Sequence, residues 1–304
     1  MMPLASCRRL LRRWNAAGVG LLIAAGLLCL VACPADLCAA DPRAATTSRE
    51  AEREAIAALP LAQLAAQDRA TVRSVVENHS VYRRLPTSVV QCDPHLFSFL
   101  LDHPEVLTNI WQLMRISDVH LQRTSADTFR ADDGQGTVAD IKVLYRGHDT
   151  QLLYAEGAYS GPLLTQPIRG RCLLLLRFQG IEETNGRHYV TCRLDTFLHM
   201  ERVGIDMLAK AFHPLVGRSA DANFTETLAF VGHLSQTCTA NPSGTARLAQ
   251  MLTHVEPTTR TRFGEVVQAA AHRTAGVASP PLLPREHAAM ARKPSRQPVQ
   301  VRDE

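Results

Sequence analysis

The chain is poor in the motifs that announce chemistry. It carries no phosphate loop, no dinucleotide fingerprint, no nucleophile elbow and no H-E-x-x-H pair. Nucleotide hydrolysis, nicotinamide chemistry, serine-elbow hydrolysis and zinc proteolysis each lack their ordinary signature. The eight cysteines form no C-x-x-C pair. Half of them, Cys7, Cys29, Cys33 and Cys38, lie near the start, and Cys92, Cys172, Cys192 and Cys238 are scattered. A zinc site wants close-spaced ligands, so no metal is expected, and nothing points to a cofactor. Surplus charge is missing as well. The whole chain has a formal charge of +4, residues 1–32 hold four arginines and no acid, and the remainder is formally neutral. A neutral body lacks the phosphate-neutralising surface on which nucleic-acid binding rests, so no nucleic-acid partner is expected.

What is there begins with an export leader over residues 1–40. Arg8, Arg9, Arg12 and Arg13 form a basic start, and residues 16–32 are an uncharged apolar run. The run ends in Leu30-Val31-Ala32-Cys33, which resembles the lipobox of bacterial lipoproteins and implies lipidation of Cys33. Cleavage after Ala40, where Cys38-Ala39-Ala40 supplies small residues, and an uncleaved anchor are the alternatives. All three place the rest of the chain outside the cytoplasm, periplasmic or held at the membrane through the N-terminus.

Residues 41–79 read as a linker followed by helices over 48–58 and 60–77, with Pro60 in the first turn of the second. They cover one side of the domain that follows or space it from a membrane. Residues 81–92 are extended and interrupted by Pro86. Asp93-Pro94 is a helix start, with Asp as cap and Pro at the first helical position, and a second helix begins at Pro104. Strand-like segments follow at 118–123, 128–131, 138–145 and 151–159.

The centre of the chain is a hairpin with arms at 171–178 and 187–198. The intervening 179–186 holds an Asn-Gly pair, which tolerates positive φ. His188, Val190, Cys192, Leu194, Thr196 and Leu198 share one face of the second arm, with Tyr189, Thr191, Arg193 and Asp195 on a wet face. The unbroken Leu173 to Leu176 run of the first arm wants cover on both faces. Cys172 and Cys192 sit at similar distances from the turn and are either bridged in an oxidising compartment or two buried thiols. A helix follows at 201–216, with Met207 and Phe212 on its apolar stripe. A second stripe, Phe224, Leu228, Val231, Leu234 and Cys238, continues it through a kink at Pro214 or follows a break at 217–219. Asn241-Pro242 starts another helix, 261–271 forms one more, and 275–304 is a Pro-, Ala- and Arg-rich tail expected to be disordered.

This order of strand, two short helices, six antiparallel strands and a long helix resembles the START-like, or helix-grip, superfamily, which includes lipid-transfer domains, plant pathogenesis-related allergens and polyketide cyclases. The resemblance spans residues 80–240 and rests on element order. It implies an α+β fold in which a curved antiparallel β-sheet wraps around a long C-terminal helix over an apolar cavity, with extra helices at both ends; 241–274 is a helical extension. The superfamily has no shared catalytic motif, so no catalytic residue is carried over.

The candidates to line that cavity are Trp111, Tyr154, Glu156, Leu174, Val190, Leu194, Met207 and Phe212. Glu156 marks a site only if it faces the cavity. His188, Asp195 and His199 could form an acid–base pair, and Asp132 with Asp133 either binds a cation or makes a tight turn. The expected function is a non-enzymatic module at the cell envelope that binds an apolar or lipid-like small molecule. The rivals are an envelope scaffold with a filled core and a cavity-based hydrolase or cyclase. A void of about 300 Å³ or more under the helix separates binding from scaffold.

Overall fold

The computed structural model describes residues 43–161, 166–184, 186–201 and 215–277. The fold is α+β, an antiparallel sheet of eight strands with helices on its faces. The expected helix at 201–216, with Met207 and Phe212, lies outside the described residues apart from its ends, and so does the leader with Cys33.

Helix α1, Arg49–Ala57, is capped by Ser48, whose Oγ accepts from Ala51 N at 3.2 Å. The second helix begins later than expected. Pro60 opens a 3₁₀ turn, Leu61–Gln63, and α2 runs over Ala66–Asn78. Arg69 explains the delay, since its guanidinium donates to the Leu61 and Leu64 carbonyls at 2.9 and 3.0 Å and holds them out of the helix. Strands β1, Val81–Arg84, and β2, Ser88–Gln91, are separated near Pro86 and lie end to end along one side of the same strand, the second arm of the hairpin. Asp93 caps α3, Pro94–Asp102, through Leu96 N at 2.9 Å, and Pro104 starts α4, Pro104–Leu113. Four strands then meander: β3 His120–Arg123, β4 Thr128–Asp132, β5 Thr137–Arg146 and β6 Thr150–Tyr159.

The hairpin arms are longer than the sequence suggests, β7 Ile168–Glu182 and β8 His188–Met200. Gly180 lies within β7 rather than in the turn, where Gly186 takes φ 73°. The strand order is β1-β8-β7-β6-β5-β4-β3, with β2 also on β8. The shifted turn decides the cysteine question. Cys172 stands opposite Leu198 and Cys192 opposite Phe178. Their positions along the ladder thus differ by six residues, about 20 Å of strand, which no disulfide spans. Both are free buried thiols, as are Cys92 and Cys238.

Both faces of the leucine run are covered. Leu173 and Leu175, each 0 % exposed, pack with Ala51, Ala55, Val72 and Val75 of α1 and α2. Leu174 and Leu176 pack on the opposite core, which α3, α4 and the long helix α5, Leu215–Ala240, build with Val190, Cys192 and Leu194. Phe224, Leu228, Val231, Leu234 and Cys238 form the buried stripe of α5, and the helix passes 217–219 without a break. The face of β8 expected to be wet is therefore buried where α1 and α2 cover it, with Asp195 and Phe197 at 0 % exposure. Helix α6, Pro242–Met251, is capped by Asn241, and α7, Pro257–Val277, is longer than the expected 261–271. Phe263 of α7 stacks on Phe99 of α3 at 5.7 Å, so the C-terminal extension joins the main core.

Candidate functional site

The structure separates the residues proposed to line one cavity. Trp111, Val190 and Leu194 are buried in the core shared with α5, and the Trp111 ring meets Phe230 edge-on at 6.0 Å. Leu174 packs against the same core. Tyr154 stands opposite Leu173, so it faces α1 and α2 instead. Its hydroxyl donates to Glu156 Oε2 at 2.7 Å, and Glu156 is exposed. Burial and the Glu156 carboxylate push the Tyr154 pKa up. Glu156 therefore does not face the core that holds Trp111. Met207 and Phe212 lie outside the described residues.

The polar candidates resolve into structural roles. Asp132 Oδ1 accepts from Gly134 N, and Asp133 Oδ1 accepts from Gln135 N and Thr137 N, all at 2.8 Å, so the pair closes a tight turn. His199 Nδ1 lies 2.5 Å from the Asn78 carbonyl, and Asp195 is committed to other partners, so the two form no acid–base pair. Among the described residues no three His, Cys, Asp or Glu side chains gather as a metal site, and no helix is long and apolar enough to cross a membrane.

A large cleft lies at the free end of the β7–β8 hairpin. Its volume is about 870 Å³, bounded by the start of α3, the β5–β6 turn, the end of β7 and the start of β8. It exists because β7 outruns its neighbour. β6 stops opposite Arg177, Phe178 N donates to the Asp149 carbonyl at 2.8 Å, and β7 continues to Glu182 without β6 beside it. Pro94, Phe97, Phe178, Ile181 and Val190 make its apolar part, with Phe97 and Phe178 rings 5.5 Å apart. Arg177, Arg193, His148, His188, Asp149 and Glu182 supply its charged and titratable groups. Arg177 and Phe178 are adjacent in a strand, so the lining draws on both faces of the hairpin. Among the described residues expected to line the cavity, Val190 alone reaches this cleft.

Behind Arg177 and Arg193 lies a cluster that sequence reasoning missed. Asp195, 0 % exposed, accepts from Tyr82 Oη and Arg84 Nε at 2.7 Å and from Arg177 Nη2 at 3.1 Å. Glu54 of α1 accepts from Arg84 and Arg193 at 2.7 Å and from Arg177 at 3.3 Å. Arg84 also donates to the Ala51 carbonyl at 3.1 Å, which clamps α1 to the sheet. Burial pulls the Glu54 carboxyl upward, but the Arg84, Arg193 and Arg177 guanidiniums prevail and hold it below the usual carboxylate range. Burial and the Asp195 carboxylate drive the Tyr82 pKa up. The only signal in the sequence was the Arg83-Arg84 pair inside an apolar strand; Glu54 gives none.

A second, polar cleft of about 460 Å³ lies between α4, β3 and the α6–α7 link. Its hydrogen bonds run in one direction. His254 N donates to Asn109 Oδ1 at 3.3 Å, Asn109 Nδ2 to Gln112 Oε1 at 3.0 Å, and Gln112 Nε2 to the Val119 carbonyl at 2.7 Å. Gln112 Nε2 is also 2.9 Å from His120 Nδ1, which in this arrangement accepts. Glu105, 4 % exposed, takes both Nε and Nη2 of Arg123 at 3.0 and 3.1 Å. Burial opposes its ionisation, yet His103 and Arg123 hold its pKa down. A carboxylate so fully paired is no general base; this network ties α4 to β3.

Comparison with known proteins adds little. No protein-family model matches the chain, and no curated protein matches it in sequence. Among solved structures, a conserved protein from Geobacillus kaustophilus is 14% identical with a TM-score of 0.33, over 46% of this chain and 86% of its own. The apo form of dicamba monooxygenase is 13% identical with a TM-score of 0.24, over 64% of this chain and 58% of its own. Likenesses this slight carry no conclusion about fold or function.

Proposed function

We propose that this chain is an exported envelope module of helix-grip type, held to the membrane by its lipidated or uncleaved N-terminus, that binds an apolar or amphipathic small molecule without transforming it. The observation that carries the reading is the hairpin-end cleft, whose volume of about 870 Å³ lies within the range of ligand sites, about 300–1,000 Å³. Phe97, Phe178 and Val190 offer an apolar wall and the two arginines a polar end. The binding place thus moves from beneath the helix to the tip of the hairpin. A catalytic reading is weakened because Glu156 is exposed and Asp195 is neutralised by arginine.

Native mass spectrometry of the full chain, purified from its membrane, tests the proposal. A co-purified small molecule that is lost in Phe178→Asp supports it. A chain that carries none, and that binds neither decanoate nor decanol on titration, contradicts it. The scaffold reading has one observation in its favour: α5 sits on β2 so tightly at Gly232 that no void remains there.

A further inference from the structure

The arginine cluster is out of electrical balance on the side that meets the cleft. Arg84, Arg177 and Arg193 face two carboxylates, Glu54 and Asp195, which leaves one positive charge uncompensated among them. Arg177 Nε is buried and has no acceptor. A buried donor without a partner carries a desolvation cost that an incoming acceptor relieves. Arg177 and Arg193 also line the cleft, so such an acceptor can reach them. Guanidinium forks match carboxylate and phosphate oxygens in pairs. The acids on the cleft wall are placed elsewhere: Asp149 accepts from the Thr150 hydroxyl at 2.9 Å, and Glu182 stands at the far end of β7, opposite His188 in the ladder.

One carboxylate already uses this site. Glu54 Oε1 holds Arg193 at 2.7 Å and Arg177 at the longer 3.3 Å, while its other oxygen holds Arg84. Arg84 is fixed independently by Asp195 and the Ala51 carbonyl, so it stays in place without Glu54. Arg177 retains Asp195. Among the described residues Arg193 has no side-chain partner other than Glu54, and it is the most transferable of the three. Glu54 sits on α1, directly after the segment that leads to the membrane.

We infer that Arg177 and Arg193 form an anion subsite of the cleft, that the oxyanion head of a ligand with an apolar body competes there with Glu54, and that binding loosens α1 from the sheet. This rests on the binding reading above and adds the ligand's head group and a consequence for the N-terminal segment. The carboxylate or phosphate head sits between the two guanidiniums, and the apolar body runs along Phe178 toward Phe97 and Val190. Occupancy then reports to the membrane-side end of the chain through the release of Glu54.

The test titrates the full chain at low salt with decanoate, decyl phosphate and neutral decanol. Hydrogen exchange of α1 is followed in the same samples. One or both anions bind at least about tenfold tighter than decanol. Glu54→Gln tightens the anions severalfold and leaves decanol unchanged, Arg193→Gln abolishes the preference, and α1 amides exchange faster at saturation. Which anion wins distinguishes a carboxylate from a phosphate head. Equal affinity for decanol overturns the anion subsite while the binding reading stands; binding of none of the three overturns both. Anion binding that leaves α1 exchange unchanged overturns the competition with Glu54. That last measurement uses the natural chain and decides the question even if Glu54→Gln fails to fold.

Discussion

Gly232 of α5 lies so close to Val90 of β2 that a Cβ at residue 232 would overlap the Val90 Cγ2. Helix and strand meet there backbone to side chain, and the stiff β-branched valine cannot swing away. Gly232→Ala would gain up to about 1 kcal/mol of helix propensity. The overlap costs more, so the variant should lose about 1–3 kcal/mol net, read by urea unfolding. A stabilised Gly232→Ala would show that α5 is not seated on β2.

Asp195 makes the sharpest stability prediction. Removing one partner of a buried ion pair leaves the other uncompensated and costs about 3–5 kcal/mol. Asp195→Ala should lose that much or fail to fold, because Arg84, Arg177 and Tyr82 all rely on it. Tyr82→Phe removes one donor and should cost about 1–2 kcal/mol, since Asp195 keeps its arginines. Equal losses for the two variants in chemical denaturation would contradict the hierarchy of partners.

Acid should unfold the protein through its paired carboxylates. Glu105, Asp93 and Glu54 are all held below their ordinary values, 4.5 for the glutamates and 3.8 for the aspartate, against burial that opposes them. His103 and Arg123 act on Glu105, Arg273 and the Leu96 amide on Asp93, and arginines on Glu54. A depressed folded pKa means that the unfolded state binds protons first. The stabilisation is complete above the ordinary values and is lost as pH falls through the lower folded ones. Unfolding free energy should be flat in this respect above pH 4.5 and fall below it. Arg123→Gln should flatten that fall, a result that titrations of stability against pH will read directly.

The four described cysteines should be silent in the folded chain. Burial pushes each thiol up to about 12, so thiolate is scarce at neutral pH. Peptides holding Cys92, Cys172, Cys192 and Cys238 should take up alkylating reagent only after denaturation. A mass loss of two hydrogens linking the Cys172 and Cys192 peptides would contradict the strand register.

Much of the frame was legible because local rules were obeyed. The Asp93 cap before Pro94, the alternation of β8 and the Phe224-to-Cys238 stripe each follow from side-chain period or capping chemistry. The four-leucine strand asked for two covers, and α1 and α2 supply the second. The turn was drawn too wide because residues 179–186 include Gly180 as well as the Asn-Gly pair, and Gly180 belongs to β7. A Cβ there would meet nothing within 4 Å, so that glycine marks no turn. The misplaced turn in turn suggested a cysteine pairing that the register forbids. Asp195 was read as wet since alternation cannot say that a helix far upstream covers that face. The cleft was hidden for the same reason: Phe97, Asp149, Arg177 and Val190 meet only once strand lengths are known, and those are set by pairing rather than by composition.

The central claim, that the hairpin end is the binding place, is tested most directly by methyl NMR of the isotopically labelled full chain titrated with decanoate. Shifts concentrated on the Ile181 and Val190 methyls, with Leu121 and Val255 beside the smaller cleft unmoved, are the predicted result. No shift at Ile181 and Val190 at saturating decanoate, or shifts confined to Leu121 and Val255, would contradict it.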